Sequence, residues 1–277
     1  MQKYSVLISV YKNEKAEFFI QSIDSMLSQT AMPEQIVLVK DGPLYRELDD
    51  VIETYQAKQP ELFTVISLEK NVGLGSALDI GMDACRNELV ARMDSDDISV
   101  PSRCEKQLAR FRDNPQLDIV GTYISEFEDD PAHIRAIREV PVDHREIVSF
   151  ARRRLPFNHP SVMYKKSAVI RCGGYGQARR KEDLHLFLSM LNSGCIAENI
   201  PESLLYYRAN TDNLQRRKSW INCRESIQAF YQNFRQGHSS FADLAVVVSA
   251  QMLFFLLPAS GAQFFSDTFL RKKLKNR

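Results

Sequence analysis

The chain has 277 residues, 44% of them hydrophobic and 26% charged, with a formal net charge of +1; this allows one large α/β domain with an appendage and gives no electrostatic reason to expect nucleic acid. Its five cysteines, Cys85, Cys104, Cys172, Cys195 and Cys223, are odd in number, scattered and never spaced as CxxC. That pattern argues against a disulfide framework or structural zinc and for reduced thiols in the cytoplasm. Met1 runs straight into a strand-like segment, so no signal peptide is expected.

Tyr4 to Val10 (YSVLISV) is apolar and β-branched, and predicts a buried strand. Phe19, Ile23, Met26 and Leu27 follow at helical spacing. After Pro33, Ile36 to Val39 predicts a second strand, ended by the turn signal Lys40-Asp41-Gly42-Pro43. A polar helix is expected from about Arg46 to Lys58, a third strand at Phe63 to Leu68, and a helix with a small-residue face from Leu74 to Cys85. Glu88 to Met93 predicts a fourth strand, which stops at Asp94-Ser95-Asp96-Asp97. Pro101 suits the start of the next helix, and Asp118 to Ile124 predicts another strand. This alternation of strand and helix implies a Rossmann-like α/β fold, a mostly parallel sheet with helices on both faces. After Glu126 the alternation is lost, and irregular loops with scattered helices are expected to complete the same domain.

Open parallel sheets bind ligands beyond the carboxyl ends of their strands. There the sequence delivers Ser9, Val10 and Tyr11, then Asp41, then Asn71 and Gly73 ahead of a helix, then Asp94 to Asp97. Carboxylates gathered in one cleft repel each other unless a cation or donor compensates. A D-x-D turn suits a hard divalent cation, Mn²⁺ or Mg²⁺, shared with a diphosphate; the plainer reading is that these aspartates cap the helix near Pro101. No GxxxxGK[ST] is present. Gly73 to Leu78 misses the third glycine of a dinucleotide fingerprint and follows the third strand rather than the first.

These segments, in order, resemble glycosyltransferase family 2 with the GT-A fold. The matches are Ser5 to Tyr11, Val37 to Gly42, Asn71-Val72-Gly73-Leu74, Asp94-Ser95-Asp96-Asp97, Asn158-His159-Pro160-Ser161, Gly173-Gly174-Tyr175 and Glu182-Asp183. Lys40-Asp41-Gly42-Pro43, with Tyr207-Arg208 and Arg216-Arg217, looks most like bacterial exopolysaccharide and capsule transferases of the amylovoran type. The resemblance implies a nucleotide-sugar donor held by Ser9, Val10, Tyr11, Glu14, Asp41, Asn71, Gly73, Asp94, Ser95 and Glu182. Tyr11 would pack on the base, Asp41 would accept from it, and Asp94 would lie near the ribose. It further implies Asp96 as ligand of the divalent cation and Asp183 as catalytic base of an inverting transfer, with a UDP-sugar as donor and a saccharide as acceptor. The first strand departs from the family's usual ending, reading Ser9-Val10-Tyr11-Lys12, and Lys40-Asp41 replaces an Asp pair.

The chemistry agrees with those roles. A sugar hydroxyl is a weak nucleophile, so a positioned carboxylate must take its proton. His159 reads either as a structural histidine or as a contact to acceptor or phosphates. Arg208 and the Arg216-Arg217-Lys218 cluster read as a clamp on the diphosphate or as surface charge, and Arg179-Arg180-Lys181 as a phosphate-side loop or a solvated run. Other readings are a nucleotidyltransferase, which would need a glycine-rich loop after the first strand, a non-catalytic sugar-nucleotide-binding partner, and a receiver-like phosphoacceptor domain, which should be about half as long.

Residues 1–215 are expected to form the GT-A domain and 216–277 a helical extension. Leu244 to Leu257 is apolar but, at about 14 residues, short of the ~20 that span a bilayer. Phe264, Phe265, Phe269 and Leu270 follow, then Arg271, Lys272, Lys273, Lys275 and Arg277. An apolar face with a basic end suggests a helix pair lying on the inner membrane surface, near a lipid-linked acceptor, as against a buried helix or a dimer contact.

Overall fold

The computed structural model describes residues 2–176, 180–209, 219–257 and, as backbone, 272–273. Strands β1 (Tyr4–Val10), β2 (Gln35–Lys40), β3 (Phe63–Ser67) and β4 (Leu89–Asp94) pair in parallel, in the spatial order β3-β2-β1-β4. Helices α1 (Ala16–Leu27), α2 (Arg46–Lys58) and α3 (Leu74–Ala84) make the crossovers. The chain runs outward from β1 to β3 and then returns to lay β4 on the other side of β1. The direction therefore reverses between β1 and β4, and a crevice opens there beyond the strand ends.

The period of two in each strand separates two cores. On one face, Val6, Ile8, Ile36 and Leu38 meet Phe19, Ile23 and Met26 of α1 and Leu48 and Ile52 of α2. On the other, Leu7, Val37 and Val39 meet Ala77, Leu78 and Met82 of α3. Both sides of the strands are buried, which is why they read as continuous apolar runs. Gly81 sets the approach of α3: a Cβ there would lie 2.4 Å from Leu7 Cδ1 and 2.7 Å from Val39 Cγ2.

The second half is more ordered than the sequence leads one to expect. It holds β5 (Ile98–Ser99), α4 (Arg103–Asp113), β6 (Leu117–Phe127), β7 (Ala136–Arg138), α5 (His144–Ala151), a 3₁₀ turn at His159–Ser161, β8 (Met163–Lys165), α6 (Lys166–Arg171), α7 (Glu182–Asn192) and β9 (Ile196–Arg208). The short β8 lies between β4 and β6 and is antiparallel to both. β6 pairs in parallel with β9 and antiparallel with β7, and β9 carries β5 antiparallel. β6 was expected from Asp118 to Ile124, but β8 and β9 leave no clear sequence signal, for physical reasons. β8 is too short to show a period, and Pro201 and Glu202 break the apolar pattern of β9 where its register on β6 shifts.

Two helices follow, α8 (Trp220–Arg235) and α9 (Phe241–Leu256), packed on each other. Ser240 and Asp243 form a capping box at the start of α9, and Asp243 also pairs with Arg153 at 2.5 Å. Ala229, Phe230 and Val247 enter the same core as α3 and α7. Of the basic terminus, Lys272–Lys273 forms β10 against β7; the apolar stretch Phe264 to Leu270 and the cluster Arg216-Arg217-Lys218 lie outside the described residues.

Candidate active site

The β1–β4 register sets Ser9 beside Asp94 at the crevice. Tyr11 follows with its ring 38% exposed, and the chain then turns through Glu14, whose N–H donates to the Tyr11 carbonyl. Beyond Asp94 the chain also turns sharply. Ser95 is buried and its hydroxyl donates to Glu14 Oε2 at 2.6 Å, tying the two turns together.

Asp94, Asp96 and Asp97 each present a carboxylate oxygen within 4.8 Å of the others. Three such groups cannot all carry full charge without compensation. Burial and the neighbouring Asp94 and Glu14 push the Asp96 carboxyl up to about 7. Asp97 is fully buried, and burial with its two neighbours holds its carboxyl well above the usual range. Its Oδ1 accepts from the Arg208 backbone N–H at 2.9 Å, while its Oδ2 has no hydrogen-bond partner among the described residues.

A buried cation lies beneath this cluster. Arg92 is 1% exposed and reaches Asp94 Oδ1 at 2.5 Å through Nη2, while its Nε and Nη1 have no partner among the described residues. Its charge also acts on Asp97 and on Glu182. Glu182 and Asp183 sit in the first turn of α7. Glu182 is half-buried and pushed up to about 7, by burial first and then by Asp183. α3 and α7 meet here, because a Cβ on Gly75 would lie 3.0 Å from Glu182 Cβ.

Asp41 carries a structural task. It is buried; its Oδ1 accepts from Val72 N–H at 2.7 Å, and its Oδ2 from Asn71 Nδ2 at 2.8 Å and Gly73 N–H at 3.2 Å. Asp41 thus shapes the entry to α3, and at most one of its roughly four lone-pair sites is left for a ligand. Gly42 permits that closeness: its φ is +88°, and a Cβ would sit 2.6 Å from Asn71 N.

Three expectations need correction. The Val10 side chain lies in the core and its carbonyl accepts from Asp41 N–H, which leaves only its backbone for a ligand. Arg208 does not reach out as a clamp. Its guanidinium is buried between the rings of Phe18 and Phe127, 3.8 and 4.6 Å from their centroids, and donates to the Asp96 carbonyl at 2.9 Å and to Gln21 at 2.6 Å. It braces the aspartate turn from behind. His159 is buried too, with Nε2 2.8 Å from the Tyr175 hydroxyl, which in turn bonds Tyr164 at 2.9 Å. Burial and nearby Arg92 hold its imidazole neutral, so it acts as a structural histidine.

Arg92, Gln21 and Asp79 were missed. A charged residue inside the apolar strand Leu89 to Met93 was a legible signal for Arg92. Asp79 gave none; its carboxylate accepts from Tyr175 and Gly176 N–H at 2.8 and 3.1 Å and so fixes the loop ahead of α7.

Residues 5–183 match the family model described as Glycosyl transferase family 2. The chain belongs to glycosyl transferase family 2. It is accordingly a glycosyltransferase, and its fold is GT-A. It is 32% identical over 272 residues to an Escherichia coli UDP-Gal:alpha-D-GlcNAc-diphosphoundecaprenol beta-1,3-galactosyltransferase, covering 98% of each chain. It is 33% identical over 264 residues to the amylovoran biosynthesis glycosyltransferase AmsE of Erwinia amylovora, covering 95% of this chain and 98% of that one. Among solved structures, a Pyrobaculum calidifontis mannosyltransferase in complex with GDP-Man and Mn²⁺ superposes with a TM-score of 0.67 at 14% identity, over 96% of this chain and 75% of that one. That likeness is one of fold.

Proposed function

We propose that this family 2 member is an inverting, divalent-cation-dependent transferase that moves a sugar from a UDP-sugar to a hydroxyl of a lipid-linked saccharide, in the assembly of a cell-surface polysaccharide. The observation that carries this reading is the set of three carboxylates within 4.8 Å at the β1–β4 crevice, with the buried Arg92 paired to Asp94. The residues fit a hard cation: all donors are carboxylate oxygens, one buried oxygen lacks a partner, and the cluster's crowding favours protons unless positive charge arrives. Asp96, with Asp94, would hold it, and bound there it would stabilise the charge developing on the departing diphosphate.

The chain's own residues supply the rest. Tyr11, exposed at the rim, offers a stacking face to a base. Asp183 takes the proton of the acceptor hydroxyl as its oxygen bonds to the anomeric carbon. The bond from that carbon to the diphosphate oxygen breaks, and the nucleotide leaves with the electron pair. One displacement inverts the anomeric centre through an oxocarbenium-like transition state, as in glycoside hydrolysis. The donor and acceptor classes draw support from the names of the E. coli and Erwinia relatives.

The helical extension is the proposed membrane contact. Among the described residues no helix is long and apolar enough to cross a bilayer. The α8–α9 pair nevertheless exposes Trp220, Ile221, Val246, Leu253 and Leu256, a surface suited to peripheral insertion.

The test is release of UDP from UDP-galactose and other UDP-sugars, with N-acetylglucosamine diphosphate on a short alkyl chain as acceptor and Mn²⁺ present. Chelator should abolish release and fresh Mn²⁺ restore it, and the product linkage read by NMR should be inverted. Retention, or full turnover in excess chelator, would overturn the mechanism.

A further inference from the structure

A second concave surface lies on the far side of the Gly174–Gly176 loop, between α7 and α8. It encloses ≈ 800 Å³, within the range of small-ligand sites. Helices that pack usually meet through apolar side chains, but here both present polar stripes. α7 contributes His185, Ser189 and Asn192, spaced by four and three residues. α8 contributes Gln228 and Gln232, and Gln236 caps its end, each four residues apart. These three glutamines are exposed and make no side-chain hydrogen bond with another described residue.

The chemistry of the lining selects its ligand. A carboxamide offers both donors and acceptors on one plane, the complement of vicinal sugar hydroxyls. The described lining holds one arginine, Arg224, next in sequence to Glu225. One end of the cleft lies near the start of α7: a Cβ on Gly75 would meet Glu182 Cβ at 3.0 Å and, from the cleft lining, Gly176 O at 3.3 Å and Tyr175 Cβ at 3.5 Å. His185 lies one turn into α7 and feels the charges of both Glu225 and Asp183. Glu225 accepts from the Arg180 N–H at 2.6 Å, which ties the segment leading to Asp183 onto α8.

We propose that the cleft between α7 and α8 is a saccharide-binding site that seats the acceptor glycan so that its terminal sugar leads toward Asp183. This rests on the transferase reading above and extends it to the residues that choose the acceptor. The same α8 carries the exposed Trp220 and Ile221 at its start, so a lipid-borne glycan would meet apolar and polar surface on one helix.

The test measures binding, so it needs no turnover. N-acetylglucosamine diphosphate on a short alkyl chain is titrated into the full-length protein with UDP and Mn²⁺ present, and the sugarless alkyl diphosphate serves as control. Gln228→Trp fills the cleft; the milder pair Gln228→Ala with Gln232→Ala guards against misfolding. The sugar-bearing probe should bind the wild-type protein, lose at least tenfold in affinity in either variant, and bind more tightly than the control. UDP affinity should stay unchanged. Equal affinity of variants and wild type, no binding by the wild type, or binding independent of the sugar overturns the assignment. Failure of UDP and Mn²⁺ to bind would instead sink the donor reading, leaving the cleft result readable on its own.

Discussion

At the scale of single residues, Asp183, Arg92 and Glu182 carry the sharpest expectations. Asp183→Asn removes the proposed base while keeping the shape of the first turn of α7. Transfer should fall by roughly 10²–10⁴-fold with UDP–Mn²⁺ affinity retained; near-normal turnover, followed as UDP release, would remove Asp183 from the role. Arg92→Met takes away the cation beneath Asp94 and leaves Glu182 and Asp97 less compensated. By analogy with outer-shell partners of metal ligands, UDP–Mn²⁺ affinity measured by calorimetry should fall about 10–100-fold, with a lower melting temperature because the partly buried Asp94 carboxylate loses its partner. Glu182 gives a signed pH effect. Its carboxyl titrates near 4.5 in the unfolded chain and about 7 in the folded one, so the folded state holds a proton that the unfolded state has released. Stability from this group is full below about 4.5 and is lost as pH rises to 7. Glu182→Gln should therefore raise the melting temperature at pH 8 and leave it nearly unchanged at pH 4. An equal shift at both pH values would contradict the assignment.

At the scale of elements, α3 lies close against β1 and β2 beside the crevice. Gly81 is the point of closest approach, and the atoms a side chain would meet belong to fully buried Leu7 and Val39. Gly81→Val should cost about 1–3 kcal/mol by overpacking, read from urea unfolding, and should also displace the Asn71–Gly73 entry that Asp41 organises. The aspartate turn is built in a similar way from several elements. β4 supplies it, the turn after β1 braces it through Glu14, and the end of β9 supports it through Arg208 and Gln21 of α1. Arg208 is therefore better described as a buttress than as a clamp.

At the scale of the whole molecule, the proposed catalytic and membrane-contacting surfaces come from different parts of the chain that share one core. Val247 of α9 and Phe230 of α8 are buried with the α3 and α7 side chains, so the extension is anchored to the transferase body. If the exposed apolar face of α8 and α9 meets a bilayer, the full-length protein should float with anionic liposomes. Replacing Leu253 and Leu256 by Ser should release it without lowering UDP release toward a soluble acceptor. A wild-type protein that stays wholly at the bottom of the gradient counts against membrane contact.

The order of the elements through β6, apart from the two-residue β5, and the delivery of Ser9, Tyr11 and Asp94 to Asp97 to one edge, were legible in the amino-acid sequence. Local hydrophobic period fixes strands and helices, and parallel topology then brings the strand ends together whatever their spacing along the chain. Other features depended on contacts between distant segments, which leave no local period. Those are the insertion of the three-residue β8 between β4 and β6, the occupation of Asp41 by Asn71 to Gly73, the burial of His159 beneath Tyr175 and the enclosure of Arg208 between two phenyl rings. A charge in sequence is only a possibility of charge at a surface; its desolvation and its partners are set by packing, and packing is decided in three dimensions.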